Sequence, residues 1–254
     1  MTQIFFASRF SNPESIEQAW IQRYSDPAEL QFYSDFSQTG FSSAEEKAVQ
    51  LWVKAFTAAS PIAVVGAGTG RECWAFCRLP GGRDAEIHAI EANLDMQKSL
   101  HQSAIDQQFS LKLVTNVKEL QKKSMQVVWI SPSINGHLSP QKARIEFYQH
   151  CVEALLPEGV IITSPEFLKR PWSRNFYFWA SLLLRVRWWR QKSWVFGDSA
   201  RSFLGRHNPT DEMIYFHFYT EEASFVHEMS RAGAALRSQT ADGFYLFEPQ
   251  QEIR

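Results

Sequence analysis

The chain has no long apolar run, since none of its segments approaches the ~18 consecutive apolar residues that a membrane-spanning helix needs. Residues 1–10 contain no basic stretch followed by a long apolar segment, so we expect no signal peptide and a cytoplasmic protein. Neither sign of charge is in excess, because 26 Lys and Arg face 27 Asp and Glu, for a formal net charge of -1. This balance disfavours nucleic acid and acidic membranes as partners, except through a local basic patch.

Cysteine is also scarce. The three cysteines, Cys73, Cys77 and Cys151, are an odd number and show no C-x-x-C spacing of the kind found in zinc and redox sites. We therefore expect reduced thiols in the core and no metal site.

Aromatic residues, by contrast, are abundant: 20 Phe, nine Trp and seven Tyr make up 14% of the chain. Five of the nine Trp lie between Trp172 and Trp194, and nine Lys and Arg oppose two Asp and Glu between Pro165 and Thr210. Three interpretations of this segment stay open. It is a cap packed on the sheet, a lid facing an aromatic or anionic substrate, or a surface for peripheral membrane or nucleic-acid contact.

A length of 254 residues accommodates one large domain with a cap. Residues 1–59 predict a helical extension, because helix-start signals recur at Asn12-Pro13, Asp26-Pro27 and Ser42–Glu45. Residues 60–164 alternate β-branched runs with helical patterns, which predicts an α/β core of parallel strands and right-handed crossovers. The predicted strands are Ile62–Val65, Glu86–Ile90, Leu111–Val114, Val127–Ile130 and Val160–Thr163, with helices at Arg71–Arg78, Leu94–Asp106 and Pro140–Leu155.

The alternation breaks after the fifth strand. Residues 165–212 are predicted to form the aromatic, helical cap insert, and residues 213–254 to complete the core sheet. This last segment holds an extended run at Met213–Phe218, a helix at Thr220–Ala232 and a closing strand at Phe244–Phe247.

The first strand runs directly into a glycine turn, Gly66-Ala67-Gly68-Thr69-Gly70, followed by a helix. This order lets backbone amides approach a nucleotide-like ligand at a helix N-terminus. A dinucleotide fingerprint, G-x-G-x-x-G, would place its third glycine at Arg71. The arginine there disfavours an NAD(P)-dependent reductase, which we keep as an alternative function.

An acidic residue, Glu91, follows the second predicted strand about twenty residues after the turn, the position of a ribose-binding acid. Its carboxylate can accept hydrogen bonds from both ribose hydroxyls. The structural alternative is an acid placed to favour the dipole of the next helix.

The G-x-G-x-G turn with an acid after the second strand resembles the first motif of class I S-adenosylmethionine-dependent methyltransferases. The resemblance extends from Ile21 onward, and the chain is similar to bacterial small-molecule methyltransferases of unassigned substrate. It implies a Rossmann-like, mostly parallel seven-stranded sheet whose last strand is antiparallel, with S-adenosylmethionine as cofactor and a small molecule as methyl acceptor. Further segments that carry it are Gly70–Glu72, Ala143–Ile145, Leu155–Gly159, His217–Glu222 and Ala232-Gly233.

The resemblance also implies a set of cofactor-binding residues. Asn116 stands where the family usually has an aspartate that accepts from the adenine amino group, and the Val117 amide would donate to a ring nitrogen. Tyr33 belongs to N-terminal helices that would close over the cofactor. The full predicted set is Gly66, Ala67, Gly68, Gly70, Glu91, Ala92, Asn116, Val117, Ser131 and Tyr33.

Catalytic residues are harder to infer, because methyl transfer from a sulfonium needs mainly positioning of the two reactants. His137 follows the fourth strand, in a loop expected to border the methyl group, and is a candidate general base. A surface or capping histidine is the structural alternative. A nucleic-acid methyltransferase or RNA-binding module that uses the basic insert stays open as a second function.

Overall fold

The computed structural model describes residues 13–53, 61–167, 198–202 and 213–250. The predicted cap insert, 165–212, lies almost wholly outside these ranges. Helices α1 (Pro13–Tyr24), α2 (Pro27–Phe36) and α3 (Ser43–Val53) precede the sheet, as predicted.

The starts of these helices follow from local hydrogen bonds. The Asp26 side chain accepts from the Ala28 amide at 2.9 Å, and Pro27 occupies the first turn of α2. Ser42 and Glu45 form the predicted capping box, in which the Ser42 amide donates to Glu45 Oε2 at 2.6 Å.

The rest of the described chain alternates strands and helices. The strands are β1 (Ile62–Val65), β2 (Ile87–Ile90), β3 (Leu111–Val114), β4 (Met125–Ile130), β5 (Leu155–Thr163), β6 (Asp198–Ser202), β7 (Met213–His217), β8 (Ala234–Gln239) and β9 (Tyr245–Pro249). The helices are α4 (Arg71–Cys77), α5 (Leu94–Gln107), α6 (Ile134–His137), α7 (Gln141–Ala154) and α8 (Glu222–Arg231).

Seven strands form one sheet in the order β3-β2-β1-β4-β5-β9-β8. Strands β1 to β5 pair in parallel, whereas β9 pairs antiparallel with both β5 and β8. The predicted seven-stranded α/β architecture is confirmed, and the sheet is mixed. Because β1 and β4 are adjacent and parallel, the loops that follow them lie next to each other at one end of the sheet, where ligands bind in open α/β folds.

The expectation that Met213–Phe218 completes this sheet is not met. That run forms β7, which pairs antiparallel with β6 in a separate two-stranded sheet and packs against α6 and α1. The strand that takes its place is β8, which pairs with β9. Its sequence has no apolar run, so it follows from pairing with β9 rather than from a local pattern.

Apolar side chains cover both faces of the sheet. Helices α7 and α8 pack on one face around residues such as Tyr148 and Phe225, and α3 and α4 pack on the other around Trp52 and Phe76. The three cysteines are buried free thiols, as predicted. Within the described ranges, no helix has both the length and the apolar character needed to cross a bilayer.

Candidate functional site

A cavity of about 620 Å³ lies where the loops after β1, β2, β3 and β4 meet the N-terminal helices. Its volume falls within the range of about 300–1,000 Å³ that is typical of small-molecule sites. Nine of the ten predicted cofactor residues line it, together with His137; Gly70 does not.

The glycine turn adopts the left-handed backbone that only glycine takes without strain, with φ of 72° at Gly66, 53° at Gly68 and 103° at Gly70. A Cβ at Gly66 would overlap the Ile134 side chain, so the turn packs directly on the loop after β4. A Cβ at Gly70 would lie 2.5 Å from Leu100 Cδ1. Gly70 therefore serves the packing of the turn on α5.

Glu91 is bound to this turn. Its Oε2 accepts from the Gly68 amide at 2.8 Å and its Oε1 from the Asn93 amide at 2.9 Å. Burial raises the pKa of Glu91, and these backbone hydrogen bonds oppose the rise only in part. The Ala92 amide also contributes. A carboxylate has about four acceptor positions, so capacity is left for a ligand in the cavity.

The loop after β3 brings Asn116 and Val117 to the cavity wall. The Asn116 Oδ1 accepts from the Lys118 amide at 3.0 Å and caps a short 3₁₀ turn over Val117–Glu119. Asn116 thus caps a turn and also lies on the cavity surface.

Two side-chain contacts hold the N-terminal helices over the turn. Thr69 Oγ1 donates to the Tyr33 carbonyl at 2.6 Å, and Asn93 Nδ2 donates to the Ile21 carbonyl at 2.7 Å. These contacts place an aromatic wall over the cavity, in which Tyr24 lies 5.6 Å from Tyr33, ring centroid to ring centroid.

Arg71, which stands in the sequence where a dinucleotide fingerprint would have its third glycine, connects the extension to the core. Its guanidinium donates to Glu45 Oε2 at 2.8 Å, to Glu72 Oε1 at 2.8 Å and to the Gly40 carbonyl at 2.9 Å. It also lies 4.9 Å from the Phe36 ring centroid. Burial alone would raise the pKa of Glu45, but the hydrogen bonds and charge of Arg71 outweigh it and lower that pKa.

The loop after β4 and helix α6 close the cavity beside the turn. Ser131 Oγ donates to the Gly66 carbonyl at 3.1 Å. The His137 ring stacks on Trp20, with centroids 3.4 Å apart and planes 25° apart, and the Phe216 ring meets its edge. His137 is therefore a half-buried wall residue held between α1 and β7.

Other wall residues were missed in the sequence. Helix α7 presents four residues to the cavity at helical spacing, a signal that could have been read only with the position of α7 known. These residues are Ala143, Glu146, Phe147 and His150.

No family model and no curated protein matches the sequence. Solved structures do match in fold. A methyltransferase from Methanosarcina mazei superimposes with a TM-score of 0.59 at 14% identity, covering 80% of this chain and 98% of that one. The DhpI–SAH complex gives 0.59 at 12% identity, covering 95% and 100%.

The CcbJ methyltransferase from Streptomyces caelestis gives a TM-score of 0.55 at 15% identity, covering 86% of this chain and 96% of that one. The chain has the class I S-adenosylmethionine-dependent methyltransferase fold. This confirms the fold implied by the resemblance.

Proposed function

We propose that the protein transfers the methyl group of S-adenosylmethionine to a small-molecule acceptor. The observation that carries the proposal is the Gly68–Glu91 hydrogen bond, which fixes a half-buried carboxylate at the turn, on the cavity wall, with acceptor capacity left for ligand hydroxyls. Structures of the same fold include DhpI–SAH and DhpI–SAM–HEP complexes.

The residues that line the cavity fit the cofactor in size and chemistry. Glu91 would accept from the ribose hydroxyls, and the Gly66–Gly68 turn allows close backbone approach. Asn116 and the Val117 amide would contact the adenine. Ser131 and its loop would lie near the transferable methyl group.

The cofactor supplies an activated methyl group with a good leaving group already in place. The protein then has to hold the acceptor in line with that group and keep water out. The aromatic wall of Trp20, Tyr24, Tyr33 and Phe147 serves both needs. His137 would accept the proton released by an acceptor hydroxyl or amine.

The same wall favours an aromatic or otherwise apolar acceptor over an anionic one. Among the described residues that line the cavity, the arginine and lysine side chains are those of Arg71 and Lys118. Arg71 is already engaged by Glu45 and Glu72, so Lys118 is the cation available to an anionic group.

A two-part assay tests the proposal. Calorimetry should show micromolar-range binding of S-adenosylmethionine or S-adenosylhomocysteine and no binding of NAD. Incubation with methyl-labelled S-adenosylmethionine and a panel of aromatic and anionic small molecules should then move label into an aromatic acceptor. Binding of NAD with no heat for either sulfur compound would overturn the assignment.

A further inference from the structure

A buried network of polar side chains contacts the loop that carries His137. Tyr148 donates to Asn135 Oδ1 at 2.9 Å, and Tyr219 donates to Glu228 Oε2 at 2.9 Å. The two phenol oxygens lie 3.1 Å apart, and Arg144 makes two hydrogen bonds to Glu228, at 2.9 and 3.0 Å. We call these five residues the Asn135–Glu228 network.

Both ends of the network hold the cavity loop. At one end, Asn135 Nδ2 donates to Thr163 Oγ1 at 2.8 Å, which ties α6 to the end of β5. At the other end, Arg144 donates to the Leu138 carbonyl at 3.2 Å. The two anchored residues flank His137 on either side along the chain.

Burying the charged groups of the network in the core costs free energy. The side chains of Arg144 and Glu228 are 1% and 4% exposed, so both charges have lost their hydration. Burial would raise the pKa of Glu228, but hydrogen bonds and charge attraction from Arg144 outweigh it and lower that pKa. A buried pair of this kind adds little stability compared with apolar side chains, whereas its directional bonds restrict geometry.

The loop also packs closely against β7. A Cβ at Gly136 would overlap the Phe216 ring, so the α6 backbone rests directly on β7. On its cavity side, the loop packs on the glycine turn through Ile134 and Ser131. A shift of the loop would therefore move both the His137–Trp20 stack and the turn.

We infer that the Asn135–Glu228 network is a positioning device: it fixes His137 against Trp20 and the Ser131–Ser139 loop against the glycine turn. Tyr148 and Tyr219 are its positioning residues: the Tyr148 hydroxyl donates to Asn135 on the loop, and the Tyr219 hydroxyl donates to Glu228 and packs against the Tyr148 oxygen. The consequence for ligand affinity rests on the proposed function; the consequence for His137 does not.

The test uses three Tyr→Phe variants of the full chain. Tyr219→Phe and Tyr148→Phe remove hydroxyls of the network. Tyr245→Phe is the matched control, because Tyr245 is buried in the same apolar cluster but its hydroxyl accepts from Gln239, outside the network.

The first measurement is the proton NMR signal of the His137 ring, assigned with His137→Gln. Stacking on Trp20 shifts this signal upfield through the indole ring current. We expect the upfield shift to decrease in Tyr219→Phe and Tyr148→Phe and to persist in Tyr245→Phe. The second measurement, the dissociation constant of S-adenosylhomocysteine, should rise about two- to tenfold in the two network variants only, the effect of one lost hydrogen bond.

A His137 signal that is the same in all three variants would overturn the inference, even if the variants melt at lower temperature. An equal change of the His137 signal in Tyr245→Phe would also overturn the inference. If Tyr219→Phe does not fold, Tyr148→Phe gives the same test through the neighbouring hydroxyl. If the wild type binds no S-adenosylhomocysteine, the proposed function fails while the His137 signal still decides the network.

Discussion

The Gly68 amide donates to Glu91 Oε2 over 2.8 Å and thereby ties the end of β2 to the turn after β1. The same carboxylate accepts from Asn93, at the start of α5. A single side chain thus connects two of the loops around the cavity, whose wall it also lines.

Replacing Glu91 with alanine should weaken S-adenosylhomocysteine binding by about 1–3 kcal/mol, because hydrogen bonds to a charged group are lost. Calorimetry on the folded variant measures the change. Glu86→Ala is the matched control, since Glu86 lies before β2 at the far end of that strand and is exposed. Unchanged affinity in folded Glu91→Ala would remove Glu91 from the site.

Arg71→Met should lower the free energy of unfolding by about 3–5 kcal/mol, because it leaves the buried carboxylates of Glu45 and Glu72 without their cation. It should also weaken cofactor binding, because the N-terminal helices lose their anchor. Urea denaturation measures the first effect. Lys47→Met, which removes an exposed ion pair with Asp242, should change stability little; equal losses in both variants would refute the anchoring role of Arg71.

Two glycines with positive φ, Gly66 at 72° and Gly243 at 84°, separate backbone strain from packing. Alanine at Gly243 meets no atom within 4 Å, so Gly243→Ala should cost only the strain, about 1–2 kcal/mol. Gly66→Ala adds overlap with Ile134 and should lower the melting temperature further and reduce cofactor affinity. Similar melting temperatures and affinities in the two variants would show that the turn does not need its close contact with the β4 loop.

The free energy of unfolding should decrease at acidic pH because of His217. Burial and the Arg144 charge lower the pKa of His217, and its hydrogen bond to Asp198 opposes this only in part. A histidine held neutral in the fold adds stability above its unfolded pKa of about 6.5, and this is lost as the pH falls through that value towards the lower folded pKa.

The measurement is the unfolding free energy between about pH 5 and 7.5 for the wild type and His217→Gln. We expect a shallower decline in the variant. His101→Gln, at an exposed position on α5, should keep the wild-type slope. Identical slopes in all three proteins would show that His217 titrates alike in the folded and unfolded chains.

The features that the sequence predicted well are local ones. The β1 run, the glycine turn and the position of Glu91 after β2 are short-range patterns whose geometry follows from residue type and spacing. The α2 and α3 starts are likewise encoded by Asp26 and by the Ser42–Glu45 pair.

The features that were missed depend on distant partners. Arg71 gains its role from Glu45, 26 positions earlier in the chain, and His137 gains its orientation from Trp20 on α1. Strand β8 exists because β9 offers an edge, and β7 leaves the core sheet to pair with β6. The roles of the aromatic segment around Trp172–Trp194 fall outside the described residues and stay predictions.

The central claim is that the cavity at Gly68 and Glu91 binds an S-adenosyl cofactor. Calorimetric titration of the wild-type protein with S-adenosylhomocysteine tests it most directly. The account predicts one-site binding in the micromolar range that is weakened in Glu91→Ala. No heat with S-adenosylhomocysteine or S-adenosylmethionine, in a protein that remains folded and binds NAD, would contradict it.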